Sequence, residues 1–291
     1  MLSRPLRSAW NHLRYVPLLS ALTWSRWRSF DTRSRALGSA VALVLRWFPL
    51  ARRRFDREVL QIYPDMARRD RARLGGAMGR QMGRTLFEIY HCAEFQTRQD
   101  RFSVSGPGLA ALELARAQGK GALIVSGHFG QWEAVRAVLK ARGMETGAIY
   151  RRQTNPHYQR RLLAGITAGG NPILETGRMG TTALVRHLRA GGFMAIMLDE
   201  KYAEGVRLPF LGRPALTSLA AAQLALKYDL VMVPAYGIRT PDGDRFDVIF
   251  EAPIPHGDAQ TMTQAFNDSL SARIRAHPDQ WYWLLGRWNG A

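Results

Sequence analysis

From Leu109 to Ala276 the chain alternates between two hydrophobic periods, and this alternation constrains the fold more than any other feature. Short apolar runs of strand character lie at 122–125, 146–151, 172–175, 193–199, 231–239 and 245–251. Segments of helical spacing separate or flank them, at 109–117, 131–142, 156–168, 180–190, 217–228 and 259–276. Parallel neighbours need a long crossover, so strand–helix–strand repetition predicts an α/β domain with a mostly parallel sheet flanked by helices. Asp242-Gly243 between the last two runs predicts a hairpin at one edge, which makes the sheet mixed. Gly106-Pro107-Gly108 marks where this regime begins. Upstream, 36–48, 52–62 and 70–95 have helical spacing, which divides the chain into a helical region, 1–100, and an α/β domain, 101–291.

Charge separates the two regions further. The net charge is +18, and residues 1–73 hold sixteen arginines, no lysine and five acids. Arg7, Arg14, Arg26, Arg28, Arg46 and Arg52 to Arg54 are interleaved with Trp10, Tyr15, Trp24, Trp27, Trp47 and Phe48. Rings of this kind settle at headgroup depth while guanidinium groups meet lipid phosphates, so the region is expected to associate with anionic membrane lipids. No uncharged run reaches the roughly eighteen residues of a spanning helix, and within residues 1–100 the longest are Tyr15 to Ser25 and Ala36 to Leu45. No signal-peptide pattern is seen either, which leads to an expectation of peripheral or monotopic attachment. The charge also suits nucleic acid, but zinc spacing, an RNA-binding consensus and a separate basic helix are all missing from the sequence.

The chemistry centres on Gly127-His128-Phe129-Gly130-Gln131-Trp132-Glu133. His128 follows a buried-strand pattern and precedes a helix, so it falls at the carboxyl end of a strand, where open α/β sheets bind ligands. Imidazole accepts a proton near neutral pH, and a carboxylate can fix its tautomer; Glu133, five positions on, is the expected partner. Three further groups end neighbouring elements: Arg151 with Asn155, Asp199 with Glu200, and the loop 209–217 containing Gly212. Arg151 can grip an anion. Asp199 closes a very apolar run. Thr217 reads as the N-cap of the helix that follows, whose free N–H groups would face an anion. Together these suit transfer of an acyl group from a thioester to a lipid hydroxyl, with His128 as base. Sequence patterns for other chemistries are missing: there is no G-x-S-x-G elbow, and Gly177-Arg178-Met179-Gly180 lacks the ending of a P-loop. Cys92, the only cysteine, lies in an aromatic helical stretch and reads as a buried structural thiol.

The blocks 127–133, Tyr150-Arg151 with Asn155-Pro156, the segment opened by Asp199, Phe210 to Ala215, and Val233-Pro234 resemble the late acyltransferases of lipid A biosynthesis, within the lysophospholipid acyltransferase superfamily. The resemblance runs over nearly the whole chain. It implies one-step transfer from acyl carrier protein or coenzyme A without a metal or bound cofactor, at the cytoplasmic face of a bacterial inner membrane. It further implies His128 as base, Glu133 as its partner, and Arg151 and Asp199 as active-site groups. Two positions depart from the family pattern: Glu200 stands where glutamine usually follows the aspartate, and Trp283 to Trp288 lacks part of a basic Trp-x-His-Arg-Arg-Trp ending. The expected acceptor is a membrane glycolipid of the lipid A precursor type. A lysophospholipid or amino-acid-derived lyso-lipid is the alternative, and a non-catalytic lipid- or nucleic-acid-binding protein is a third reading.

Overall fold

The structure, a computed structural model, describes residues 27–289. The aromatic and basic positions read upstream of Trp27, Arg7 to Arg26 among them, lie outside the described residues. Helices come first: α1 (Phe30–Trp47), α2 (Pro49–Ile62), α3 (Arg68–Tyr90) and α4 (Cys92–Gln96). The alternating part then runs β1 (Phe102–Ser105), α5 (Gly108–Ala117), β2 (Ala122–Ser126), α6 (Trp132–Ala141), β3 (Thr146–Tyr150), α7 (Pro156–Gly169), β4 (Ile173–Glu175), α8 (Arg178–Arg189) and β5 (Phe193–Met197). It continues through β6 (Val206–Phe210), β7 (Arg213–Thr217), α9 (Ala220–Tyr228), β8 (Val231–Arg239), β9 (Phe246–Phe250) and α10 (Ala259–Ala276).

Seven strands form one sheet in the order β1-β9-β8-β2-β5-β3-β4, antiparallel only between β8 and β9. The predicted α/β architecture is therefore the observed one, with the Asp242-Gly243 turn closing the β8–β9 hairpin. β2 is central and buried along its whole length, as its unbroken apolar run requires. β2, β5, β3 and β8 run the same way, so their carboxyl ends share one edge.

One segment differs from its reading. Residues 206–217 form a separate two-stranded hairpin, β6–β7, rather than a loop entering a helix. Leu211 and Gly212 make its turn, both with positive φ (53° and 87°), as a two-residue hairpin turn with right-handed strand twist needs. Gly212 is thus a turn residue. Thr217 ends β7, and its hydroxyl donates to the Ala215 carbonyl at 2.9 Å, so it does not cap the helix. That helix begins at Ala220, where Ser218 accepts the Ala220 N–H at 3.2 Å.

The helical front shares its core with the sheet. Phe55, Val59 and Met78 pack in one cluster with Trp281, Trp283 and Trp288. Glu88 of α3 makes a buried ion pair with Arg239 of β8 at 2.7 Å and also accepts from Gln131, which caps α6. At the α1–α2 elbow the pattern reverses: Trp47, Phe48 and Leu50 are 72%, 53% and 69% exposed. Among the described residues no helix is long and apolar enough to cross a membrane.

Candidate active site

Strand register builds the site. Ser126 of β2 lies opposite Met197 of β5, so the residues two positions beyond each, His128 and Asp199, emerge side by side at the carboxyl edge. His128 Nδ1 meets Asp199 Oδ1 at 2.9 Å, and the His128 backbone N–H donates to Asp199 Oδ2 at 2.7 Å. Trp281 Nε1 adds a third donor to Oδ2 at 2.9 Å. Trp281 comes from the C-terminal tail, which runs along the motif: Tyr282 N–H donates to His128 O at 3.0 Å, and Gly130 N–H donates to Gln280 O at 2.8 Å. Gly127 makes room for this arrangement. A Cβ there would lie 2.9 Å from Asp199 Oδ2 and 2.6 Å from a Leu270 methyl.

An ionised carboxylate only accepts hydrogen bonds, so the proton of neutral His128 resides on Nδ1 and the lone pair on Nε2. The Asp199 side chain has no exposed surface, whereas that of His128 is 25% exposed, which leaves the imidazole reachable from outside. Burial lowers the affinity of His128 for a proton, but the charge and hydrogen bond of Asp199, with a smaller contribution from Glu200, outweigh it. The imidazole is therefore held above its ordinary pKa. Burial pushes Asp199 up, yet the facing imidazole and the donors Trp281 and His128 N–H bring its carboxyl below the usual carboxylate value. This is a base with a fixed tautomer and raised basicity, suited to taking a proton from a hydroxyl.

Glu133 does not occupy the partner position expected for it. It sits in the first turn of α6, buried, with both oxygens accepting from Arg136 Nη1 at 3.0 and 2.8 Å. Arg136 is pinned in turn by the carbonyls of Thr146, Ile166 and Gly170. A buried carboxylate needs a charged partner more than a neutral imidazole does, and Arg136, three residues on, is nearer along the helix face. The Cys92 thiol lies 3.7 Å from Glu133; burial, and then the neighbouring carboxylate, push its pKa up, so it stays a thiol.

Arg151, past the end of β3, is exposed and bonded to Glu200 at 2.9 Å. The acidic residue that departs from the family pattern thus sits against this arginine. Asn155 caps α7, its side chain accepting from His157 N–H at 3.0 Å. Thr217 belongs to the tail's support: Arg287 Nη2 donates to its hydroxyl at 2.5 Å and Nη1 to Leu216 O at 2.6 Å. Burial lowers the Arg287 pKa to about 10, against an opposing pull from Asp199. Trp281 and Arg287 support the site; Arg287 lies in the Trp283 to Trp288 ending read above, and residue patterns alone do not single out Trp281. Their signal is the cluster of aromatic and basic residues at the end of the chain, which becomes meaningful only once that tail is seen to lie along His128.

The chain is similar to a known family and to several named proteins. The model of the bacterial lipid A biosynthesis acyltransferase family matches residues 8–290. Phosphatidylinositol mannoside acyltransferases from two strains of Mycobacterium tuberculosis are 28% identical over 185 residues, covering 62% of this chain and 58% of theirs. A lipid A biosynthesis acyltransferase from Haemophilus influenzae is 23% identical over 184 residues, covering 61% and 57% respectively. The matched region thus spans less than two thirds of these relatives' lengths. With residues 8–290 of 291 matched by the family's model, the chain belongs to the bacterial lipid A biosynthesis acyltransferase family.

Proposed function

We propose that the protein transfers a fatty acyl group from an acyl carrier protein thioester to a hydroxyl of a membrane glycolipid, of the lipid A precursor type. The observation that carries this reading is the His128–Asp199 pair at the carboxyl edge of the sheet, with Nε2 as the free basic nitrogen. Nε2 takes the proton of the acceptor hydroxyl as its oxygen attacks the thioester carbonyl. A tetrahedral intermediate forms, the carbon–sulfur bond breaks, and the imidazolium returns the proton to the departing thiolate. One ester and one thiol result. Asp199 holds the ring and stabilises its cation, and Trp281 holds Asp199.

The same chemistry accepts coenzyme A as carrier and a lysophospholipid as acceptor. Among the relatives, one name specifies a mannosylated phosphatidylinositol and another lipid A, which favours a glycolipid. The exposed Trp47, Phe48 and Leu50 beside Arg46 and Arg52 to Arg54 support peripheral attachment to an anionic, inner-membrane type of surface. The test is a panel assay on the full chain in detergent micelles. It pairs acyl carrier protein or coenzyme A thioesters with a lipid A precursor, a phosphatidylinositol mannoside and a lysophospholipid, and reads products by mass. We expect acylation of a glycolipid, faster from the carrier protein. Preferential acylation of the lysophospholipid would support the second acceptor class, and no acylated product from any pair would overturn the enzyme reading.

A further inference from the structure

Helices α1 and α3 cross through small residues. A Cβ on Gly79 would sit 2.7 Å from Ala42 Cα, and one on Gly83 2.8 Å from Gly38 Cα, so these two glycines are required by close packing. Gly76, less than one turn before Gly79, has no such reason. A Cβ there would meet only the tip of Arg80, at 3.7 Å. A helix-interior glycine is about 1 kcal/mol worse than alanine, so an unpacked one at this position favours open space over helix stability. That space is a cavity of about 750 Å³ between α1, α2 and α3.

Its walls have two characters. The floor is apolar, from Ala42, Leu45 and Phe55, while Arg46, Arg52, Arg69, Arg71, Arg73 and Arg80 surround it. Among the described residues Asp56 is the only acid of the lining, and it is shared by Arg71 at 3.3 Å and Arg52 at 3.9 Å. Arg73 has Asp70 at 3.5 Å, whereas Arg69 and Arg80 have no carboxylate partner among the described residues. Leu43 and Arg46 also line the cavity and stand on α1 within about one turn of the exposed Trp47 and Phe48.

We propose that this cavity binds the phosphate-bearing headgroup of an anionic membrane lipid, its acyl chains passing along the apolar floor toward the α1–α2 elbow. The choice of a lipid over free phosphate rests on the membrane reading given above, together with the apolar floor. None of the cavity's residues hydrogen-bonds His128 or Asp199, and the lipid proposed to bind here is a second one, not the acceptor. Residues 1–26 contain four arginines and no acid, so their charge opposes them as the occupant. An acidic carrier protein would need a broad convex contact, whereas these arginines encircle a hollow.

The test uses the full chain and calorimetric titration with monomeric dihexanoyl phosphatidic acid, dihexanoyl phosphatidylcholine, inorganic phosphate and acyl carrier protein. Two variants accompany it: Gly76→Leu, which fills the cavity without changing charge, and the pair Arg69→Gln with Arg80→Gln. We expect phosphatidic acid to bind at least about tenfold more tightly than phosphatidylcholine or phosphate, and each variant to lose about tenfold or more. His128→Ala should bind phosphatidic acid as the unmodified chain does, so failure of acyl transfer and failure of this site are read separately. Unaltered binding by Gly76→Leu, with its helical circular dichroism intact, would overturn the cavity as the site. So would phosphate binding as tightly as phosphatidic acid, or carrier protein displacing the lipid.

Discussion

Replacing Asp199 by asparagine is the most informative single change, because it is nearly isosteric and alters only what His128 sees. The new amide oxygen can still accept from His128 N–H and Trp281 Nε1, now 2.7 and 2.9 Å from Oδ2. That leaves the amide NH2 facing His128 Nδ1, which lies 2.9 Å from the present Oδ1. A donor there forces Nδ1 to be the acceptor, so the ring proton moves to Nε2 and the lone pair that would receive the hydroxyl proton is lost. A wrong tautomer of this kind costs roughly 10³–10⁴ in turnover, about 4–5.5 kcal/mol of transition-state stabilisation. The pH profile gives a second reading. Transfer requires neutral His128, so the rate rises with pH through the imidazole pKa, which Asp199 holds above its ordinary value. Removing that negative charge lowers the pKa, and the acidic limb of any residual activity moves to lower pH. The assay is initial-rate acyl transfer from pH 5 to 9 with saturating donor, alongside thermal melting to confirm the fold. An Asp199→Asn variant within about tenfold of the unmodified rate, or with its acidic limb unmoved, would refute the reasoning.

Four other outcomes are expected. Glu133→Gln leaves Arg136 buried without its counter-charge and should cost about 3–5 kcal/mol of stability, seen as a lowered melting temperature. The folded fraction should keep its pH profile, and replacing both partners by apolar residues should recover part of the loss. Trp281→Phe removes one of three donors to Asp199; a hydrogen bond to a charged group is worth about 1.5–3 kcal/mol, so turnover should fall about tenfold or more with little change in KM. Cys92, buried and with its thiol pKa pushed up, should resist iodoacetamide in the native protein and react only after unfolding. Trp47→Glu with Phe48→Glu should weaken partition onto anionic vesicles by roughly tenfold or more without loss of helicity, since both side chains are exposed. Truncating residues 1–50 is a poorer test, because it also strips Phe30 and Ser34 from the core.

Periodicity made most of the α/β part legible. The helix read at 259–276 and the strand read at 231–239 coincide with α10 and β8, and the mixed sheet follows from their alternation with the Asp-Gly turn. The four-residue β1 escaped because it is half exposed and precedes the Gly-Pro-Gly break. The β6–β7 hairpin escaped because Pro209 and Pro214 read as loop residues; as cross-strand partners in a two-stranded ribbon they are tolerated. His128, the proposed base, was legible from its residue type and strand-end position. Its partner was not, because periodicity does not say that β5 lies beside β2. Once that adjacency is known, the equal offsets of His128 and Asp199 from the paired Ser126 and Met197 bring the two together, and nearness along the chain, which favoured Glu133, proves irrelevant. Trp281 was hidden for a related reason: it reaches the site from more than 150 positions away in sequence.

The central claim is that His128 is the proton acceptor for acyl transfer, and single-turnover transfer by His128→Ala tests it most directly. The purified full chain is mixed in excess over acyl carrier protein thioester and a glycolipid acceptor, and the acylated lipid is quantified by mass. The account predicts that the alanine variant melts close to the unmodified protein, still partitions onto anionic vesicles, and forms product at least about 10³-fold more slowly. Product formation within about tenfold of the unmodified rate would contradict it and place the base elsewhere.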